Sequence, residues 1–127
     1  MQGTHLFEYA VIRVLPKVER DEFINVGVIL FSKRAKYIRM KWKLNEERLR
    51  NFSTEMDLDL LEASLKSFEK TCNGDIDAGV IGQLDISERF RWLTAVRSSC
   101  IQTSRPHSGF ADNLDAIVEK LFAEMVL

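Results

Sequence analysis

The sequence has few of the residues on which several classes of protein depend. Its 127 residues include only two cysteines and two histidines, and these four do not form a cluster. Such a distribution is typical neither of a zinc site nor of a disulfide framework. No apolar run approaches the roughly 20 residues that a membrane-spanning helix requires. We therefore expect no metal site and no membrane span.

The first residues also lack the pattern of a secretory signal, because no basic segment is followed by an apolar one. Cys72 and Cys100 lie among apolar positions that are typical of a helix and a strand, so we expect both thiols to be reduced and buried. These observations favour a cytoplasmic protein.

Glycine-rich phosphate-binding motifs are absent as well. Gly74, Gly79 and Gly82 fall close together, but the sequence contains neither Gly-x-Gly-x-x-Gly nor Gly-Lys followed by Ser or Thr. There is no internal repeat, low-complexity tract or linker. We expect no cofactor, and a single domain that spans residues 1–127.

What is present in excess is positive charge in one segment. The chain carries a net charge of −1, but residues 33–50 contain eight basic and two acidic residues, a net charge of +6, so the remainder carries −7. This asymmetry favours an acidic partner or nucleic acid without identifying either.

The apolar run from Phe23 to Phe31 predicts a central strand that is covered on both faces. Strict alternation would place Val26 and Val28 on one face, and Asn25 and Gly27 on the other. Glycine inside a strand indicates a bulge, or a close approach by another backbone or a ligand.

A preceding strand, Phe7 to Leu15, is closed by Pro16 and pairs with the central strand as a hairpin. If the hairpin is centred near Glu19, Arg13 falls opposite Asn25 and Val11 falls opposite Gly27. The only charge inside the first strand would then lie beside the only polar side chain in the second.

The segment Tyr37 to Trp42 alternates, which predicts a strand with a basic, solvated outer face. Apolar spacing predicts about four helices, which begin near Asn45, Asp57 and Ser87 and after Asp112. A fourth strand is expected at residues 100–105, followed by a turn at 106–109. The fold class is α+β: an antiparallel sheet of three to four strands, the first three from an N-terminal meander, with helices on one face.

Two segments resemble a known family. The first is Phe7 to Pro16 followed by Glu19-Arg20-x-Glu22-Phe23-x-Asn25-Val26-Gly27-Val28, and the second is Ile101 to Gly109 before the last helix. The sequence is similar across nearly its whole length to the bacterial domain-of-unknown-function family numbered 3037, although residues 43–85 carry little resemblance. That family has no established activity to carry over. The resemblance implies a protein partner encoded nearby, a HipA-like kinase.

The two segments point to one polar site if the fourth strand joins the sheet. Guanidinium, amide and hydroxyl groups together are typical of a site that binds phosphate or carboxylate. The structural alternative is a turn ion pair between Arg20 and Glu22, with His107 simply exposed. The candidate ligand- or partner-binding residues are Arg13, Arg20, Glu22, Asn25, Gly27, Ser104 and His107.

Three functions remain open. We prefer a protein-interaction or regulatory module, since the chain is small and contains no catalytic motif; no residue is assigned a catalytic role. The first alternative is a small hydrolase or nuclease that uses Asp21, Glu22 and His107, with Mg²⁺. The second is nucleic-acid binding through Arg39, Lys41 and Lys43.

Overall fold

The structure is a computed structural model that describes residues 3–16, 22–53, 56–95 and 99–127. It confirms the α+β class with a five-stranded antiparallel sheet. The strand order is β3-β2-β1-β4, and β5 pairs with β1 beside β4. The strands are β1 His5–Val14, β2 Ile24–Ser32, β3 Tyr37–Trp42, β4 Ile101–Thr103 and β5 His107–Ala111.

Five α-helices accompany the sheet in the described residues, and a 3₁₀ turn, Ile76–Ala78, connects α2 to α3. The helices are α1 Glu46–Phe52, α2 Leu58–Asn73, α3 Gly79–Gly82, α4 Ile86–Leu93 and α5 Leu114–Met125. The predicted N-caps Asn45 and Asp57 are confirmed, since each side chain accepts a hydrogen bond from a backbone N–H three residues on. Gly74 ends α2 with a positive φ of 70°.

A β-bulge divides the central strand. In the register, Ile12 faces Gly27 and Arg13 faces Asn25, which leaves Val26 as the extra residue. The bulge and the Arg13–Asn25 pair are as predicted, but Val11 faces Val28 and not Gly27.

The bulge also reverses the alternation of side chains. Ile24 and Val26 share a core with Ile29 and Phe31, while Val28 and Leu30 face the opposite side. The predicted grouping of Val26 with Val28 is therefore wrong, because one extra residue moves every later side chain to the other face.

Gly27 is required by a close approach between backbones. A Cβ at this position would lie 2.7 Å from the carbonyl oxygen of Lys41 and 2.9 Å from the Cβ of Trp42, which faces Gly27 in β3. The bulge and the close approach by another backbone, both considered for this glycine, are thus both observed.

Helices lie on both faces of the sheet, so the expectation of one covered face is wrong. On one face, α1, α2 and α4 contribute Leu49, Leu65 and Phe90 to the larger core. On the other face, α5 packs Val118 and Phe122 against the second core. This double cover explains why β2 is apolar on both faces.

The two cysteines differ in environment. Cys72 is buried in the larger core as predicted, and burial raises the pKa of its thiol to about 12. Cys100 is exposed, contrary to the prediction, because β4 begins only at Ile101. None of the described helices is long and apolar enough to cross a membrane.

Candidate functional site

A row of polar side chains crosses three strands on the face that carries α5. Gln102 of β4 lies opposite Arg13 of β1, and Arg13 lies opposite Asn25 of β2. The structure therefore brings together two of the predicted site residues, at the end of the sheet where α5 terminates.

Asn25 holds the end of α5. Its amide Nδ2 donates a hydrogen bond of 3.0 Å to the carbonyl oxygen of Met125, one of the carbonyls that a helix leaves unpaired at its C-terminus. Its Oδ1 atom is buried and has no hydrogen-bond partner among the described residues. The amide nitrogen of Asn25 therefore has a structural role, whereas no role is assigned to its amide oxygen.

Arg13 shows a similar division. Its guanidinium carbon lies 4.1 Å above the ring centre of Phe23, a cation–π contact, while its Nε atom is buried and has no hydrogen-bond partner in the part of the chain that the structure describes. An unpaired donor and an unpaired acceptor on neighbouring strands are uncommon in a folded protein.

Ser104 lies next to this row, but its hydroxyl is hydrogen-bonded to the backbone. It follows β4, and its Oγ accepts a hydrogen bond of 2.9 Å from the backbone N–H of Val11. Its own N–H donates to the Val11 carbonyl at 2.8 Å. The backbone pairing along this side of β1 is interrupted between β4 and β5. The Ser104 hydroxyl therefore supplies the acceptor that the Val11 N–H would otherwise lack.

His107 does not join the row. It lies opposite Tyr9, with a ring-centre distance of 5.4 Å. Tyr9 is four residues along β1 from Arg13, so His107 lies roughly 13 Å away from the row at about 3.3 Å per residue. The expected approach of His107 to Arg13 and Asn25 is not seen.

The charged turn before β2 is only partly described. Arg20 and Asp21 fall outside the described residues, and Glu22 is exposed two residues before β2 begins. Among residues that the structure describes, no group of three or more His, Cys, Asp or Glu side chains could hold a metal ion. Of the residues proposed for Mg²⁺-dependent hydrolysis, the two that are described are not brought together: Glu22 precedes β2 near the Val14 end of β1, whereas His107 lies opposite Tyr9 in the middle of β1.

The basic face of β3 is covered by the acidic side of α5. Arg39 donates to Asp115 at 3.2 Å and to Glu119 at 3.0 Å, and Lys41 contacts Glu119 at 2.5 Å. The hydroxyl of Tyr37 donates to Asp115 at 2.5 Å. The basic face is only partly covered, since Arg39 and Lys41 stay 37% and 35% exposed, but two of the three candidate nucleic-acid contacts already have carboxylate partners within the chain.

These contacts shift the pKa values of several of these side chains. The Tyr37 hydrogen bond, opposed by some desolvation, holds the pKa of Asp115 below its usual value. The Lys41 hydrogen bond likewise lowers the pKa of Glu119. Burial, followed by the hydrogen bond to Asp115, raises the pKa of Tyr37 to about 12. We call these five residues, Tyr37, Arg39, Lys41, Asp115 and Glu119, the α5 clamp.

Lys43, the third candidate cation, is exposed and lines a cavity of about 390 Å³ at the end of α5. Asn25 and Arg48 also line this cavity. The Arg48 guanidinium donates a hydrogen bond of 2.9 Å to the carbonyl oxygen of Val126, so Arg48 helps to hold the end of α5.

A large, mostly apolar opening lies elsewhere, at the far end of the sheet, and sequence reasoning missed it. Leu6 of β1 and Phe110 of β5 are paired across the strands and are 53% and 72% exposed. They line a cavity of about 870 Å³ together with Phe31, Lys33 and Arg34. We call this surface the open sheet end.

Helix α4 packs beside the open sheet end. The rings of Phe90 and Phe31 are stacked 4.9 Å apart, and Arg91 donates two hydrogen bonds to Glu8. The sequence predicted a turn at 106–109, which is wrong, because residues 107–111 form β5. Only two signals could have indicated this surface: Leu6, which shares a strand face with the charged Glu8, and the isolated Phe110.

The fold and its surfaces define a class: a small α+β domain with a five-stranded antiparallel sheet, helices on both faces and one sheet end uncovered. A family model described as a protein of unknown function (DUF3037) matches residues 9–126, so the chain belongs to that family. Comparison with curated proteins and with solved structures found no significant match.

Proposed function

We propose that this protein is an interaction module that binds a protein partner at the open sheet end. The observation that carries the proposal is the exposure of Leu6 and Phe110, two large apolar side chains that are neighbours on adjacent strands. Apolar residues scattered singly over a surface need no explanation, but a contiguous apolar floor in a cavity is typical of a binding surface.

The architecture of the strand supports this proposal. Gly109 lies under the ring of Phe7, and a Cβ there would come within 2.6 Å of it, so this side of β5 is packed. Phe110 points to the other side and is 72% exposed. An aromatic residue placed there adds to affinity when covered and gains nothing for the isolated fold.

The partner that the family resemblance implies, a HipA-like kinase encoded nearby, is the first protein to test. Both proteins are proposed to act in the cytoplasm. The kinase is co-expressed with tagged wild-type protein and with the Phe110→Ser variant, and the amount retained on the affinity resin is measured. We expect at least a tenfold loss of retained kinase for Phe110→Ser, since apolar anchors dominate such interfaces.

A matched control is available in Ile76→Ser, which removes an apolar side chain that is 95% exposed in the 3₁₀ turn. This variant should retain the kinase like the wild type, and both variants should melt close to the wild-type temperature. Equal retention by Phe110→Ser and wild type would contradict the proposal.

A second candidate is binding of a partner or a small anion at Arg13 and Asn25, favoured by the unpaired Nε and Oδ1 atoms. Asn25→Ala should lower the free energy of unfolding by about 1–3 kcal/mol, because it leaves the Met125 carbonyl unpaired.

Arg13→Ala separates the two roles of that polar row. If Arg13 binds a partner, the variant should melt near the wild-type temperature and lose the kinase in the same retention assay. A variant that binds normally, or that fails to fold, would leave the row with a structural role only.

A further inference from the structure

The direction of the backbone groups in β1 follows from two hydrogen bonds at its β4 side. The N–H of Leu15 donates to the carbonyl of Cys100 at 2.7 Å, and the carbonyl of Val11 accepts from Ser104 at 2.8 Å. In an antiparallel strand the N–H and C=O of one residue point to the same side, and successive residues alternate. The odd-numbered residues of β1 therefore direct their backbone groups towards β4 and β5.

The same alternation then fixes the free edge of β5. His107, Gly109 and Ala111 lie opposite odd-numbered residues of β1 and direct their backbone groups inward. The N–H and C=O groups of Ser108 and Phe110 face outward. Within the part of the chain that the structure describes, no sixth strand lies beside them.

This edge has little of the protection that edge strands usually carry. The five residues of β5 include no charged side chain, no proline and no bulge, and the strand is guarded only by its short length. Edges of this kind are templates for pairing with another extended segment.

We propose that the partner contributes an extended acidic segment that pairs with β5 as a sixth strand and places apolar side chains beside Phe110. This inference rests on the proposed function and specifies how the partner binds at the same surface. Alternate side chains of an added strand would lie beside Phe110, which itself neighbours Leu6, while the added backbone pairs with Ser108 and Phe110.

The charge around the open sheet end selects for acidic residues. Lys33 and Arg34 line the cavity and are exposed. The carboxylate in the lining, Glu8, is held by Arg91 at 2.9 and 3.0 Å, which leaves the rim positive. A second copy of this chain would bring the same two cations to the contact, so a partner of opposite charge fits better.

The composition of the segment can be tested without knowing the partner. A library of random eight-residue peptides displayed on phage is selected against the full-length protein. We expect enriched peptides to alternate apolar and polar positions and to contain Asp or Glu. Enrichment of basic peptides, of apolar residues spaced three and four apart, or of no peptide would overturn the inference.

The charge requirement has a matched control in the same turn. The double variant Lys33→Glu/Arg34→Glu should bind an enriched peptide about tenfold more weakly, since two exposed charge contacts contribute about 1 kcal/mol or slightly more. Lys36→Glu changes one charge in that turn, outside the cavity lining, and should bind within about twofold of the wild type. Equal losses in both would overturn the assignment of Lys33 and Arg34.

Strand pairing itself is tested by amide hydrogen exchange with an enriched peptide bound. The amides of Ser108 and Phe110 should exchange rapidly in the free protein and become at least tenfold slower in the complex. The amides of Gly109 and Ala111, already bonded to β1, should be slow in both states. Binding without protection of Ser108 and Phe110 would overturn strand pairing, as would protection at increasing protein concentration without peptide, which would indicate a second copy.

Ser108→Pro distinguishes failure of this inference from failure of the proposed function. Proline at this position removes an outward N–H, leaves Leu6 and Phe110 in place, and is tolerated on an edge strand. Loss of kinase and peptide binding with an unchanged melting temperature supports strand pairing. Retained binding overturns it, while the effect of Phe110→Ser still decides whether the open sheet end is an interaction surface.

Discussion

At the scale of single residues, Gly27 shows how one position can shape a whole strand. It sits in the bulge of β2, where the backbone of β3 approaches too closely for a side chain. The absence of a Cβ, and not a ligand, accounts for glycine here. The same bulge turns Asn25 towards the end of α5, where its amide pairs with Met125.

Substitution of Gly27 by alanine should therefore destabilise the protein by about 1–3 kcal/mol, the usual cost of overpacking, as measured by urea denaturation. Gly109→Ala is the control. The added methyl there meets only the ring of Phe7, a side chain that can move, so the loss should be smaller. An equal or larger loss for Gly109→Ala would contradict the role assigned to the β2–β3 contact.

At the scale of elements, the α5 clamp joins a helix to an edge strand by charge. Arg39 and Lys41 were visible in the sequence as a basic strand face, and Asp115 was visible as an acid at a helix start. Their pairing was not, because 76 residues separate Arg39 from Asp115 and no local pattern links them. A basic face that looked free in the sequence is thus paired, at the surface, with the acids of α5.

The clamp should make stability depend on pH at both extremes. Because the pKa values of Asp115 and Glu119 are lowered in the folded state, their contribution is present above the ordinary carboxyl range near pH 4 and is lost as the pH falls through the folded values. Because the pKa of Tyr37 is raised from 10.0 to about 12, its contribution is present below about pH 10 and is lost between about pH 10 and 12.

Thermal melts of wild type and Tyr37→Phe across these ranges provide the measurement. We expect the variant to melt lower than wild type at pH 7, and to lose less stability than wild type between pH 10 and 12. For the carboxylates, Glu119→Gln should lower the melting temperature at low salt and much less at 1 M salt, where exposed charges are screened. Glu124→Gln, also exposed on α5 but outside the clamp, should do neither; identical behaviour of the two variants would refute the clamp.

At the scale of the whole molecule, the part that could be predicted is the part fixed by local pattern. The apolar length of β2 indicated a strand covered on both sides, and Arg13 was placed opposite Asn25 correctly. The second helical face was missed because the same residues suit either a one-sided or a two-sided sheet until α5 is placed.

The open sheet end lay beyond sequence reasoning for a different reason. Pro106 and Gly109 are residues typical of turns, yet pairing with β1 makes residues 107–111 a strand, and the ring of Phe7 covers the glycine. Tertiary contacts here override local preference. The exposure of the pair Leu6 and Phe110 becomes visible only once β5 is seen to pair with β1.

The second core makes α5 a condition for folding the entire domain, and deletion of residues 121–127 tests this. The deletion removes the buried side chains Leu121, Phe122 and Val126 and exposes Val28 and Leu30 of the central strand. Burial of each large apolar side chain contributes roughly 1.5–3 kcal/mol, so the loss approaches the 5–15 kcal/mol that typically holds a domain together. We expect no cooperative melt of the truncated protein by circular dichroism. Deletion of Leu127 alone, which is 73% exposed, should leave the melt nearly unchanged, and a cooperative transition of the longer truncation at the wild-type temperature would show that α5 is peripheral.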